Sequence, residues 1–262
     1  MWKQNLAGKV LSDPQLSDTK IFVGSNAKRI FCLDRESGDV QWNVTTEDEV
    51  KTPGVLCDEK NHFFFGDNGI MHALHTENGS TFWTFDAASP IIDAPVWGSN
   101  DVLIFASDAG EVHCLNSSTG AELWSYDTGF KVVHSPVAGN NRVFVGSQNN
   151  FISCLKMKNG KKKWDFNTGG EMETSPLLDS MGNVFIGSAS GLLQSSVYAL
   201  KQSTGEEIWS HNTSNSLRSN LIVNNDTLYF ATVNGIIEAL GTSDGAVVWS
   251  YDSGTKVSRV LI

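Results

Sequence analysis

The sequence is short of basic residues and of long apolar runs, and each shortage excludes a class of protein. Lysine and arginine number 19 against 29 aspartates and glutamates, which gives a formal net charge of −10 over 262 residues. A nucleic-acid-binding protein needs a basic face that this balance does not supply. No apolar run reaches the roughly 18 residues that a membrane-spanning helix requires, so the sequence predicts no transmembrane segment.

Targeting and catalytic motifs are also missing. Residues 1–5 contain no apolar core of a signal peptide, which leaves cytoplasmic and extracytoplasmic locations open. No phosphate-binding glycine loop, CxxC pair or HExxH motif occurs. Three of the cysteines occupy equivalent points of a repeat, too far apart for a disulfide. We expect small buried residues and no metal site, and a metal or redox role is the alternative. The four cysteines are Cys32, Cys57, Cys114 and Cys154.

What the sequence does contain is a repeat marked by tryptophan. Successive members of the series differ by 40, 41, 41, 40, 45 and 40 in residue number, and they are Trp2, Trp42, Trp83, Trp124, Trp164, Trp209 and Trp249. A glycine stands four residues before each one after the first, at Gly38, Gly79, Gly120, Gly160, Gly205 and Gly245. Ten residues before each stands a cysteine or alanine followed by leucine, as in Cys32-Leu33. Repeats of about 40 residues with short strands are typical of propeller blades.

One repeat shows how the pattern predicts strands. Residues 143–147, 151–155 and 161–166 are β-rich runs, and Gly160 lies in a turn that favours a residue tolerating positive φ. One such sheet cannot bury both faces alone, whereas radial stacking buries them between neighbours. A tryptophan that docks on the next blade buries about 150–250 Å², or roughly 4–6 kcal/mol of gross transfer energy. The tryptophans and glycines of the repeat are therefore predicted to be structural.

The segment from Cys32 to Trp42 resembles the tryptophan-docking motif of pyrroloquinoline quinone (PQQ) repeat propellers. The other copies keep glycine and tryptophan but replace Asp34 with His75, Asn116, Lys156, Lys201 and Gly241. The resemblance implies an all-β propeller of four-stranded antiparallel blades. The family includes quinoprotein dehydrogenases and non-enzymatic members similar to BamB-like assembly proteins.

The resemblance does not extend to the cofactor site of the quinoprotein enzymes. The alcohol dehydrogenases of the family carry adjacent cysteines, and the enzymes hold the cofactor with a calcium ion. No two cysteines are adjacent here, and no cofactor-site residue matches. We therefore expect neither PQQ nor calcium, and the non-enzymatic branch is favoured.

The repeats are expected to form one domain over residues 1–262. Residues 2–6 and 253–262 are predicted to be parts of a closing blade, so the propeller has six or seven blades. Seven blades with strands missing are favoured, as in a piece of a larger protein. The complete repeats are predicted at residues 7–45, 46–86, 87–127, 128–167, 168–212 and 213–252.

Function is sought where the copies differ, first at the mouth of the central channel. One position lies two residues before the prolines at 14, 53, 95, 136 and 176, and it holds Ser12, Lys51, Asp93, His134 and Thr174. The last two copies have no proline, and there Arg218 and Ser258 align with this position. Convergent polar groups in a concave site predict a ligand or partner site. The candidates are Lys51, Asp93, His134, Thr174 and Arg218. A solvated mouth that tolerates polar residues is the alternative, and catalysis by His134 with Asp93 lacks a nucleophile.

Other irregular features are given simpler interpretations. Residues 188–196 lengthen one hairpin of the fifth repeat, where Leu192, Leu193 and Gln194 could contact a partner or form a tolerated insertion. His72 and His113 are expected to face outward without a role. The lysines between 156 and 163 are expected to be a solvated hairpin end.

Three functions remain open from the sequence. A scaffold or protein-binding propeller is favoured, with a protein partner and no nucleic acid. A sensor that binds a small polar ligand at the mouth is the second possibility. A fragment of a PQQ-dependent dehydrogenase is the third.

Overall fold

The computed structural model describes residues 2–98, 101–189, 194–217 and 219–255. Within these ranges the strands form six four-stranded antiparallel sheets, and a single-turn 3-10 helix spans Asp58–Lys60. The chain divides into two compact units, residues 1–127 and 128–262, and each unit contains three of the sheets.

Unit 1 holds the first three sheets, and in each the strands are neighbours in chain order. The first sheet comprises β1 (Gln15–Leu16), β2 (Lys20–Ser25), β3 (Arg29–Asp34) and β4 (Val40–Thr45). The second comprises β5 (Val55–Cys57), β6 (His62–Asp67), β7 (Ile70–His75) and β8 (Thr81–Asp86). The third comprises β9 (Val96–Gly98), β10 (Val102–Ala106), β11 (Glu111–Asn116) and β12 (Glu122–Asp127).

Unit 2 repeats the same plan three more times. The fourth sheet comprises β13 (Val137–Gly139), β14 (Arg142–Gly146), β15 (Phe151–Lys156) and β16 (Lys162–Asn167). The fifth comprises β17 (Leu177–Leu178), β18 (Asn183–Ala189), β19 (Ser195–Lys201) and β20 (Glu207–Asn212). The sixth comprises β21 (Ile222–Asn224), β22 (Thr227–Ala231), β23 (Ile236–Gly241) and β24 (Val247–Asp252).

The small residue ten positions before each tryptophan has a direct structural reason. It lies on the third strand opposite the tryptophan of the fourth, as Cys32 lies opposite Trp42 and Ala73 opposite Trp83. The register then shifts by a β-bulge between the small residue and the following leucine. The same shift occurs in all six sheets. A small side chain leaves room for the indole ring on the neighbouring strand.

The core lies on the two middle strands of each sheet. Every residue of β6 is buried, and Phe63, Phe64 and Phe65 are at most 2% exposed. Such runs are buried on both faces, in contrast with the alternating pattern of a strand that has one face in water. Side chains of the second and third sheets share one apolar cluster in unit 1, and those of the fifth and sixth share another in unit 2.

Five of the glycine turns are described with the tryptophan of the preceding repeat packed against them. The indole Nε1 of Trp83 donates to the carbonyl of Ser117 at 2.8 Å. Gly120, at φ +70°, lies so close that an added Cβ would stand 2.7 Å from Trp83 Cδ2. The glycine therefore supplies both the positive φ and the space for the ring. The other described pairs are Trp2 with Gly38, Trp42 with Gly79, Trp164 with Gly205, and Trp209 with Gly245.

Trp249 is the exception to this burial. It is 44% exposed, whereas Trp83 is 9% and Trp209 8% exposed. The whole of β24 is exposed, including Tyr251 at 60%. β24 is the last strand that the structure describes, and no described sheet packs over this face of it. The expected docking role of Trp249 is thus not seen among the described residues.

The predicted closing segments are described only in part. Trp2 donates its indole Nε1 to the carbonyl of Arg35 at 3.0 Å, and Leu6 packs on the apolar cluster of the first sheet. Residues 2–6 dock in this way without forming a strand among the described residues. Residues 256–262 lie outside the described part of the chain.

The cysteines are free and buried, as the repeat pattern predicts. Burial raises the pKa of Cys32 to about 11. Burial likewise raises the pKa of Cys114 and Cys154 to about 12. Because the reactive form of cysteine is the thiolate, these thiols are kept inert.

The expectation that His72 and His113 face outward is wrong. His72 Nε2 lies 2.8 Å from Asp67 Oδ1, and its side chain is 14% exposed. His113 Nδ1 lies 2.8 Å from Glu122 Oε1, and its side chain is 6% exposed. A carboxylate on a neighbouring strand gives each ring a polar partner.

His62 is a buried histidine with a different environment. It is 7% exposed, it stacks on Phe82 with ring centroids 4.2 Å apart, and its Nδ1 has no hydrogen-bond partner among the described residues. Burial, followed by the charges of His75 and Lys60, lowers the pKa of His62. The folded protein therefore disfavours the protonated ring.

We expect the free energy of unfolding to fall as the pH is lowered below about 6.5. In that range the unfolded His62 takes up a proton at its ordinary pKa while the folded ring does not. Above that pH the contribution is fully present. Urea unfolding at pH 7.5 and 5.5 measures the effect, and His62→Phe should reduce the difference between the two values. An unchanged difference would show that His62 does not contribute.

Candidate functional site

The loops that precede the first strand of each sheet contain the predicted mouth residues. We call these the entry loops, at residues 7–14, 46–54, 87–95, 128–136, 168–176 and 213–221. In most of them one residue bridges to the second strand of its sheet, as Val10 bridges to Ser25 and Leu217 to Thr232. Counting two residues onward from the bridge gives the equivalent mouth position. That position is occupied by Ser12, Asp93, His134, Thr174 and Ser219.

The position predicted by aligning on proline is therefore one residue too early in the second copy, as is the position predicted without a proline in the sixth. Ser219, and not Arg218, takes the equivalent place in the sixth copy. In the second copy the buried hydroxyl is that of Thr52, and Lys51 before it is exposed. The second entry loop is one residue shorter between its buried valine, Val50, and Pro53, which explains the shift. Arg218 itself lies outside the described residues.

Four of the six mouth positions hold buried hydroxyls with a structural role. Ser12, Thr174 and Ser219 accept the backbone N–H groups of Gly24, Gly187 and Ala231 at 2.7–2.9 Å. Thr52 Oγ1 donates to the carbonyl of Gly66 at 2.7 Å. Each of these hydrogen bonds fixes an entry loop to the second strand of its own sheet. Thr174 is fully buried, so its predicted ligand role does not fit the structure.

The remaining candidates are Asp93, His134 and Lys51. Asp93 is half-buried in unit 1, where its Oδ1 accepts the N–H of Ala94 at 2.8 Å. His134 is half-buried in unit 2. Lys51 is exposed, and its Nζ lies 3.0 Å from Glu49 Oε2. The hydrogen bond and charge of Glu49 raise the pKa of Lys51.

A cavity of about 260 Å³ opens beside Lys51 in unit 1, with Glu49 and Asn68 in its lining. Asp67 also lines it and accepts the N–H groups of Glu47 and Asp48 at 3.0 and 3.4 Å. Asp67 therefore shapes the second entry loop. The other charged groups in the lining are Asp48, Glu49 and Lys51, and Lys51 pairs with Glu49.

The fifth repeat does carry the lengthened hairpin. β18 and β19 are seven residues long and pair as far as Ala189 with Ser195. At the end of the strand pair next to the connecting loop, Ser195 Oγ donates to Glu173 Oε2. The same carboxylate oxygen accepts the N–H of Leu217 at 2.9 Å. Gln194 is exposed. Leu192 and Leu193 lie outside the described residues.

The fourth entry loop presents an aromatic ring that the sequence interpretation missed. Phe130 is 56% exposed. Thr128 Oγ1 donates to the carbonyl of Phe130 at 2.5 Å, which fixes the turn that carries the ring. Other copies have small or polar residues there, namely Asp48, Ser89, Gly170 and Asn215. That contrast between copies was the available signal.

Within the part of the chain that the structure covers, no group of three histidine, cysteine or acidic side chains is placed to hold a metal ion. In the same residues no helix is long and apolar enough to cross a membrane. The entry loops thus offer hydrogen-bonding groups, charged groups and the exposed ring of Phe130.

Comparison with known proteins identifies related sequences and folds. A family model described as outer membrane protein assembly factor BamB matches residues 1–80, 66–195 and 180–261. No curated protein sequence matches.

Solved structures with a similar fold come from distant sequences. BamB from Moraxella catarrhalis is 15% identical, with a TM-score of 0.84 over 100% of this chain and 82% of that one. A europium-containing methanol dehydrogenase is 10% identical, with a TM-score of 0.80 over 94% and 69%. The computationally designed Ika8 protein is 15% identical, with a TM-score of 0.61 over 98% and 92%. The predicted all-β propeller of four-stranded antiparallel blades is confirmed.

Proposed function

Because this chain belongs to the PQQ-repeat family of the outer membrane protein assembly factor BamB, we propose that it is a non-catalytic propeller that binds a protein partner through its entry loops. Loops held by a rigid scaffold commonly carry binding residues. The likeness to a methanol dehydrogenase, at 10% identity, concerns the fold alone.

The observation that carries the proposal is the exposure of Phe130. The side chain of Phe130 is 56% exposed, and the turn that carries it is fixed by Thr128. Aromatic side chains are enriched among the residues that dominate binding energy at protein interfaces. The same entry loop also contains Lys131, which is exposed, and His134, which is half-buried.

A photo-crosslinking amino acid at position 130 tests the proposal by capturing the partner for identification. The matched control is position 123 on β12, because Leu123 is 52% exposed and lies on an outer strand. With the purified partner, Phe130→Ser should weaken binding about tenfold or more, whereas Leu123→Ser should leave it unchanged. Equal affinities for both variants and the unmodified protein would contradict the proposal.

A small polar ligand is the second candidate, favoured by the cavity beside Lys51. Its volume of about 260 Å³ suits a ligand of sugar or amino-acid size. Calorimetric titration with such compounds should give heat that Lys51→Ala removes. No heat with either class would end this candidate.

A further inference from the structure

The turn between the third and fourth strands has its own oxygen cap in two sheets. In the first sheet Asp34 Oδ1 accepts the N–H groups of Glu36 and Ser37 at 2.9 and 2.8 Å. In the third sheet Asn116 Oδ1 accepts those of the corresponding residues at 2.9 and 3.0 Å. An acidic or amide side chain at this position thus satisfies two backbone donors of the turn.

The fourth sheet keeps the turn and lacks the cap. Gly160 donates to the carbonyl of Lys156 at 2.9 Å, as Gly38 donates to Asp34 in the first sheet at 2.9 Å. Lys156 has no oxygen to offer in its side chain. The N–H of Lys158 has no acceptor among the described residues, and that of Asn159 reaches only the carbonyl of Lys156, at 3.2 Å.

Positive charge surrounds the uncapped turn. We call residues 156–163 the lysine hairpin, in which Lys156, Lys158, Lys161 and Lys163 are exposed and form no ion pair among the described residues. The chain as a whole has a formal charge of −10, so the cluster is a local reversal of sign.

The strand next to the lysine hairpin adds a like charge. Arg142 lies directly opposite Lys156, whereas in the first sheet Lys20 lies opposite Asp34. Like charges at directly opposed positions are destabilising. Arg142 Nη1 donates to the carbonyl of Asn140 at 3.1 Å, but its Nε is buried without a partner among the described residues. A bound anion would reduce the repulsion between Arg142 and Lys156. It would also supply the oxygen acceptor that the turn lacks.

We propose that the lysine hairpin binds a carboxylate side chain of an acidic segment in a protein partner. The proposal rests on the proposed function, since it names the chemistry of a protein partner. The carboxylate is chosen because Asp34 occupies the same turn within this molecule. The incoming oxygen accepts the N–H groups of Lys158 and Asn159, and the lysines neutralise its charge. Hydrogen bonds to an ionised acceptor are stronger than those between neutral groups.

The test uses the full chain and a fluorescein-labelled peptide of six glutamates, measured by fluorescence anisotropy at low salt. Lys156→Asp installs the internal cap and should weaken peptide binding about tenfold or more while raising the midpoint of thermal unfolding. The matched control is Lys201→Asp, the same substitution at the same repeat position in the fifth sheet, where Lys201 pairs with Glu206 at 2.9 Å. It changes the net charge equally and should alter peptide binding less than twofold.

Equal binding by Lys156→Asp and the unmodified chain would overturn the proposal, as would an equal loss in Lys201→Asp. Binding to phosphatidylglycerol vesicles without binding to the peptide would also overturn it, in favour of a lipid surface. The peptide titration needs no natural partner, so its failure leaves the Phe130 measurement standing as a separate test of the proposed function.

Discussion

Trp83→Ala should lower the free energy of unfolding by about 3–5 kcal/mol, the range for removing a buried large aromatic side chain. The substitution removes an indole that is 9% exposed and leaves a cavity over the glycine turn of the next sheet. It also removes the donor to the Ser117 carbonyl at 2.8 Å. Chemical unfolding followed by circular dichroism measures the change.

Trp249→Ala is the matched control, because Trp249 has the same place in its repeat and is 44% exposed. Its removal should cost about 1 kcal/mol or less, in the range of surface substitutions. If the two variants lose equal stability, the docking of each tryptophan on the following glycine turn does not hold the sheets together.

Gly120→Ala should destabilise by about 3 kcal/mol or more, since a steric conflict is added to backbone strain. The backbone has φ +70°, and the new Cβ would stand 2.7 Å from Trp83 Cδ2. The ring is held from its other edge by the hydrogen bond to Ser117. The neighbouring sheets must therefore separate to admit the methyl group.

Gly129→Ala separates strain from the steric conflict. Gly129 has φ +76°, and nothing lies within 4 Å of the position of an added Cβ. Its cost should be about 1–2 kcal/mol, that of the left-handed conformation alone. A cost for Gly120→Ala no larger than that for Gly129→Ala would show that the tryptophan moves aside freely.

The fold could be predicted from the sequence because the residues that recur in each repeat are those that pack against one another. Tryptophan, the glycine four residues before it and the small residue ten before it recur, and each touches another member of the pattern. The bulge beside the small residue was not predicted, because periodicity gives positions along a strand and not the register between strands. Trp249 has the same place in the repeat as the other tryptophans but is exposed, because no described sheet packs against its face of β24. The repeat pattern alone does not indicate this difference.

The site was predicted less well, for a physical reason. Aligning copies on proline assumes entry loops of equal length, and a loop can lose a residue at little cost in free energy. Lys51 was thereby given a position that Thr52 occupies. A hydroxyl group can contact a ligand or hydrogen-bond to its own sheet, and the sequence does not distinguish the two. For Thr174 the distinction comes from its hydrogen bond to the N–H of Gly187.

The histidines and Phe130 illustrate two other limits. The pair of His72 with Asp67 joins two strands, so neither residue alone indicates its partner. Phe130 stands where other copies have small or polar residues. The hypothesis of a polar ring at the mouth did not include an aromatic residue.

Hydrogen–deuterium exchange of the chain, with and without the partner captured at position 130, tests most directly whether the entry loops bind a protein. Bound partner should slow exchange in the fourth entry loop, residues 128–136, and leave exchange on β12 unchanged. Slower exchange confined to outer strands, with the entry loops unaffected, would contradict the proposed binding.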